Sequence, residues 1–594
     1  MTKSTINKRK LKQALIIAVF LGVNFAIVSL LSTIYYEFNS GADRSKALHI
    51  DLRQNDYYLP KITINGSNSE GRTPNKEILK NIEEDYIKSW YVKKYALQNN
   101  DVKAIEDFYT DSAQSKIQRI INYNIANKVN IHSTSVNHHV NIKFLSEDGQ
   151  VAYIDDKNVQ ERTYFYKNKK QIHGEVTTKT YKSILLLEDG FWRIRHLKSL
   201  IEQQVENVKT IENEEEKVIE IDKEVTHVVK PQETVYRLTQ IYKTTKDKLI
   251  VLNPKKTGLA NNLLLKHDTI IVKKSKEFVN ASLFETQKQE IRFPKNFRIK
   301  GINYYPQKTP WFEFWKQYDT IVVNKDFKLI RGLRLNTVRI FIPYELFGKE
   351  KVSKTELKNL VKTLDLAEKN NLKVIVTFFD FYSNYQVLDY TICDRHLEQI
   401  IQRIKNHPAL LQYDIKNEAD LDFKIHGKQK VINWLNFIAE RMKHYDKETP
   451  ITIGWYSPKE ATNLRDKVDF ISFHYYKTPE NFSEVFKELE KQVDKPIVIQ
   501  EFGKHSYNSI WNLYRNSEKK QAKYHREIQE SFHANGVEHF VSWTLYDFPE
   551  IDKNVFGRMP HKIGPQKNYG FIDVKGKPKQ AIKYISGPPN QKNL

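Results

Sequence analysis

From about residue 290 onward, short apolar runs alternate with stretches whose apolar residues recur every three or four positions. The runs are Ile299–Tyr305, Thr337–Ile342, Val374–Phe379, Leu411–Ile415, Ile451–Trp455, Phe470–His474, Ile497–Gln500 and Phe540–Leu545. Only the intervening helical pattern near Pro458 to Arg465 is short. Strands that are apolar on both faces belong to a parallel sheet covered on both sides. Eight strand–helix units in about 250 residues match one (β/α)8 barrel, expected over 290–590.

Upstream the pattern changes several times. Ala14 to Ile34 carries no charge and has only Asn24, Ser29, Ser32 and Thr33 as polar interruptions, and at about 1.5 Å per residue it is long enough to cross a bilayer. Lys3, Lys8, Arg9, Lys10 and Lys12 precede it, which predicts residues 1–13 as a cytoplasmic tail, 14–34 as a single-pass membrane anchor and everything downstream as external. Residues 37–74 lack periodicity and read as a spacer. Helical steps begin after Asn75, and from His139 to Ile194 strand-like alternation takes over, so 75–200 is expected to be an α+β domain. With Asn99-Asn100-Asp101 leading into a helix and Gly190-Phe-Trp-Arg-Ile-Arg195 closing the sheet, it resembles the nuclear-transport-factor-two-like cone. Cones of that kind can hold a ligand, but His138 and His139 read as ordinary sheet residues and the domain as a spacer or assembly unit.

A charged stretch, 201–223, reads as a linker. Residues 225–274 fit strand, helix, helix, strand, with the second helix ending at Asn253-Pro254. This segment resembles the lysin motif, a βααβ carbohydrate-binding module, which implies peptidoglycan or another N-acetylglucosamine glycan as partner. The usual Gly-Asp-Thr stands here as Gln232-Glu233-Thr234, and the missing glycine predicts weak binding.

Composition narrows the alternatives. The chain has 594 residues, enough for several cores. Its formal charge of +23 comes from lysines spread among 72 acidic residues, a distribution that suits an anionic envelope surface and gives no stripe for nucleic acid. Cys393 stands alone, so no intrachain disulfide can form.

The candidate chemistry lies at two strand ends. Asn417-Glu418 follows the fourth run and Gln500-Glu501 ends the seventh. Two carboxylates at the C-terminal mouth of a barrel are what glycoside cleavage requires. In order along the chain come Lys300-Gly-Ile-Asn-Tyr-Tyr-Pro306, Thr337-Val-Arg339, Asn417-Glu418, Val468-Asp-Phe-Ile-Ser-Phe-His-Tyr-Tyr476, Glu501-Phe-Gly503 and Trp543. Together they resemble glycoside hydrolase clan A, the retaining barrels that include cellulase-type and family-two enzymes. The resemblance implies Glu418 as acid/base and Glu501 as nucleophile, with Arg339, Asn417, His474, Tyr476 and Trp543 around the substrate, and neither cofactor nor metal. It further implies an apolar setting that keeps Glu418 protonated, a cation, Arg339, beside Glu501, and carboxyl groups about 5 to 5.5 Å apart. The expected function is a membrane-anchored retaining glycosidase acting on a cell-surface or exported polysaccharide. Alternatives are a catalytically silent glycan-binding scaffold and a transglycosylase remodelling β-glucan.

Overall fold

The computed structural model describes residues 58–201, 218–229, 234–242, 244–254, 269–280, 292–508, 516–552 and 559–588, with a few isolated positions elsewhere. Two units result: one joins the segment up to residue 203 with 292–594, and the other is 204–291.

Eight parallel strands form the barrel: Lys300–Asn303, Thr337–Pro343, Lys373–Asp380, Leu410–Asp414, Ile451–Trp455 interrupted at Ile453, Ile471–Tyr475, Ile497–Phe502 and His539–Ser542. The first pairs with both the second and the eighth, which closes the sheet. Nearly every strand residue is buried, as the unbroken apolar runs require. Ile299, Ile375, Leu411, Phe470, Val498 and Val541 cluster at one level inside the barrel, one of the side-chain layers that make such an interior solid. The helices turn one face to this wall. In Lys428–Tyr445, for example, Val431, Trp434, Leu435, Ile438 and Met442 are buried at steps of three and four. Trp434 stacks on Tyr382 at 4.7 Å. Cys393, on helix Tyr390–Ile404, is fully buried against the same group, and burial pushes its thiol up to about 12.

Residues 58–201 form a sheet with helices Lys76–Asn99 and Asp111–Asn127 on it. Its long strands, Val151–Lys167 and Lys170–Glu188, pair antiparallel through two register shifts. The expected spacer is shorter than 37–74: Lys61–Asn65 joins this sheet, parallel to Asn137–Leu145. The sheet docks on the barrel. Tyr164 and Tyr166 belong to the barrel's buried cluster, Arg162 pairs with Glu440 and lies over Phe437 at 5.3 Å, and Asn433 donates to Gln171 at 2.7 Å.

In the second unit, strands Val218–Val228 and Thr269–Asn280 pair antiparallel around helices Val235–Ile241 and Lys246–Leu252. The strands run beyond 225–274, and the first begins inside the expected linker. Thr234 and Thr245 cap the two helices through their hydroxyl oxygens. Asn253 fixes the second helix to the last strand, donating to the Ile271 carbonyl and accepting from its amide, both at 2.8 Å. Gln232 and Glu233 lie outside the described residues, as does nearly all of 14–34, of which Val23, Asn24 and Ile27 are helical. Among the described residues, no helix is long and apolar enough to cross a membrane.

Candidate active site

Arg339 is the hub of the barrel mouth. It comes from the second strand and is 0 % exposed. Its Nη1 donates to Glu501 Oε1 at 2.6 Å and Asn303 Oδ1 at 2.9 Å, and its Nη2 to Asp414 Oδ2 at 2.6 Å and Asn417 Oδ1 at 2.8 Å. Nε donates to Thr377 Oγ1 at 2.9 Å. Burial lowers the affinity of the guanidinium for its proton, but Asp414 and Glu501 outweigh that and raise it above its ordinary value. A buried cation with two carboxylates on its fork is a rigid brace, because each remaining donor is also satisfied.

Glu501 is thus placed from the inside by Arg339, and from the outside Tyr476 donates to its Oε2 at 2.8 Å. Glu418 has a different setting. Its backbone sits in the left-handed region, at φ 47°, an unfavourable conformation for a residue with a side chain and one that clusters at functional sites. Burial pushes its carboxyl up to about 7, against the opposing pull of Arg339 and Lys416. His474 bridges the pair, its Nδ1 lying 3.0 Å from Glu418 Oε1 and 3.4 Å from Glu501 Oε2. Burial lowers this imidazole to about 4, so it is neutral at physiological pH. Oxygens of the two glutamates and a ring nitrogen of His474 all lie within 4.8 Å of one another. A separation this short leaves no room for water between carboxylate and sugar, as inversion would need, and fits attack by one carboxylate on the anomeric carbon.

The opening above the pair is a cavity of about 370 Å³. Asn417, Tyr476 and Trp543 line it with both glutamates. Arg339 and His474 do not. They stand behind the carboxylates, Arg339 as the cation beside Glu501 and His474 between the two glutamates. Trp311, Phe341, Phe381 and Tyr569 add aromatic faces, suited to the apolar faces of a sugar ring. Asp380, at the end of the third strand, also reaches the cavity. It follows the third apolar run, Val374–Phe379, with no motif around it that marks a site residue.

Among the described residues, Glu418, His474 and Glu501 are the one group whose atoms are spaced to hold a metal ion. Both oxygens of Glu501 already accept hydrogen bonds, from Arg339 and Tyr476. A second polar cluster lies in the 58–201 sheet. His138 Nδ1 is 2.5 Å from Asp156 Oδ2, and its Nε2 is 2.8 Å from Ser135 Oγ. That resembles a hydrolytic triad in geometry, but Ser135 and His138 are each 1 % exposed and Lys94 also donates to the serine. No substrate can reach this hydroxyl, and the cluster is a satisfied polar core.

Residues 294–549 match the family described as glycosyl hydrolases family 2, TIM barrel domain. A β-glucuronidase of Paenibacillus borealis is 23 % identical over 288 residues, which cover 46 % of this chain and 42 % of that protein. The chain therefore matches less than half the length of that relative. An exo-β-1,4-mannosidase from Opitutaceae bacterium strain TAV5 superposes with a TM-score of 0.42 at 17 % identity, covering 50 % of this chain and 60 % of the other. A family 2 β-galacturonidase from Eisenbergiella tayi, bound to galacturonate, gives 0.39 at 15 % identity, covering 77 % and 70 %. Over residues 294–549 the barrel is similar to the TIM barrel domain of the family 2 glycosyl hydrolases.

Proposed function

We propose that the protein cleaves glycosidic bonds of an oligosaccharide or polysaccharide by double displacement, outside a membrane to which residues 14–34 anchor it. The observation that carries the chemistry is the contrast between two glutamates within 4.8 Å of each other: burial raises Glu418, while Glu501 is ion-paired with Arg339 at 2.6 Å. In the first step Glu501 attacks the anomeric carbon, the bond to the leaving oxygen breaks, and that oxygen takes the Glu418 proton. In the second, Glu418, now a carboxylate, takes a proton from water, whose oxygen displaces Glu501 from the sugar. The anchor is supported by the uncharged run and its basic flank.

A sugar hydroxyl in place of water would make the same site a transglycosylase. The scaffold reading is disfavoured, because a silent barrel has no need to keep a braced nucleophile beside a raised acid. The test is a 2-deoxy-2-fluoro glycoside with an activated leaving group, whose glycosyl-enzyme persists long enough for peptide mapping. Mass added to the peptide carrying Glu501 is expected. Label on Glu418, or none across a panel of sugars, would refute the assignment.

A further inference from the structure

The third carboxylate of the cavity has no part in the double displacement. Asp380 is 6 % exposed and lines the same space as Glu418 and Glu501. Phe379 at φ 50° and Phe381 at φ 59° flank it, and bulky residues rarely enter the left-handed region. The strand end is thus turned twice in three residues, and the turn leaves Asp380 at the cavity wall.

The cations near Asp380 are committed elsewhere. Arg339 is held by Asp414 and Glu501, and Lys416 donates to the Tyr382 carbonyl at 2.8 Å and pairs with Asp422 at 3.3 Å. Among the described residues, Asp380 forms no ion pair, and no lysine, arginine or histidine lines the cavity. The Phe381 backbone amide donates to this carboxyl, which leaves acceptor capacity for a donor that the ligand brings. Burial pushes Asp380 up to about 7, with Lys416 and Arg339 pulling it down and Glu501 adding to the rise.

We infer that Asp380 selects the sugar bound next to the nucleophile: it accepts a hydrogen bond from a hydroxyl or amine of a neutral or amino hexose and excludes a uronic acid. This rests on the glycosidase reading above. Above about pH 7, where Asp380 is ionised, a glycone carboxylate would meet its like charge in a cavity that no lysine, arginine or histidine lines among the described residues, and such like-charge contact is a source of discrimination. The consequence separates this chain from the β-glucuronidase and β-galacturonidase to which it is similar.

The test compares kcat/KM of the full chain on 4-nitrophenyl β-glucoside, β-mannoside, β-galactoside and β-glucosaminide with the glucuronide and galacturonide. The best neutral or amino glycoside should exceed the uronide of the same ring stereochemistry by roughly 100-fold or more. Asp380→Asn should narrow that ratio by at least about tenfold, through loss on the hexoside and gain on the uronide, a shift that a general loss of folding would not produce. A uronide preferred by the unmodified protein, or a ratio unchanged in Asp380→Asn, overturns the inference. Calorimetric titration with gluconolactone and saccharolactone needs no turnover and keeps the two readings apart. If no glycoside is cleaved but gluconolactone binds more tightly, hydrolysis fails and the selectivity stands. If saccharolactone binds as well or better, or neither binds, the selectivity fails.

Discussion

Replacing Glu501 by glutamine turns the nucleophilic carboxylate into a neutral amide, so every substrate should lose turnover. Replacing Glu418 by glutamine removes a proton donor, and only leaving groups that need the proton should suffer in the first step. On an activated aryl glycoside the Glu418→Gln protein should still form the glycosyl-enzyme, and azide should restore its turnover, whereas Glu501→Gln should stay inactive in the same assay. The pH profile follows from the raised carboxyl of Glu418, near 7. The acid form is lost as pH rises through that value, so kcat/KM for an alkyl glycoside should fall about tenfold per unit above about pH 7. A dinitrophenyl glycoside, whose leaving group departs unprotonated, should lack that limb. Both glutamates were legible in the sequence because each ends an apolar run. Asp380 ends one too, but a lone carboxylate there has no partner motif to mark it. Asp414, buried inside Leu411–Ile415, was hidden because only the fold brings it to Arg339.

Strands were the most legible elements, since a strand buried on both faces has almost no choice of residue. What the pattern missed were strands whose signal is diluted by charge. Lys61–Asn65 is five residues between Pro60 and Gly66, and Val218–Val228 places its apolar residues among Glu220, Asp222, Lys223 and Glu224. Each reads locally as spacer or linker, and only pairing with a distant strand identifies it. Within the barrel, Arg339 ties the second strand to the first, third, fourth and seventh through Asn303, Thr377, Asp414 and Glu501. Arg339→Met would leave Asp414 and Glu501 buried without their cation, a change expected to cost about 3–5 kcal/mol. Urea unfolding followed by circular dichroism would measure it, and a loss below about 1 kcal/mol would show that the brace serves catalysis alone.

At the scale of the molecule, the sheet domain and the barrel share buried surface although more than 200 residues separate the contacting segments. Tyr164 and Tyr166 are part of the barrel's cluster, and Arg162, 2 % exposed, reaches helix Lys428–Tyr445. The sheet domain should therefore unfold together with the barrel. Calorimetry is expected to give one transition for residues 58–201 with 292–594, and Tyr164→Ser with Tyr166→Ser should split it or lower its midpoint by several degrees, about 2–4 °C per kcal/mol lost. Two separate transitions in the unaltered protein would refute the coupling. Helix Tyr390–Ile404 takes part in this contact, its Thr391 donating to the Tyr58 carbonyl at 3.1 Å, and it carries the chain's single thiol. Because Cys393 is sealed beneath aromatic rings and held protonated, a sulfhydryl reagent can modify it only when that seam opens. The molecule thus contains its own stopwatch: the rate at which one chromophore is released counts openings of the barrel wall, with no second thiol to blur the count.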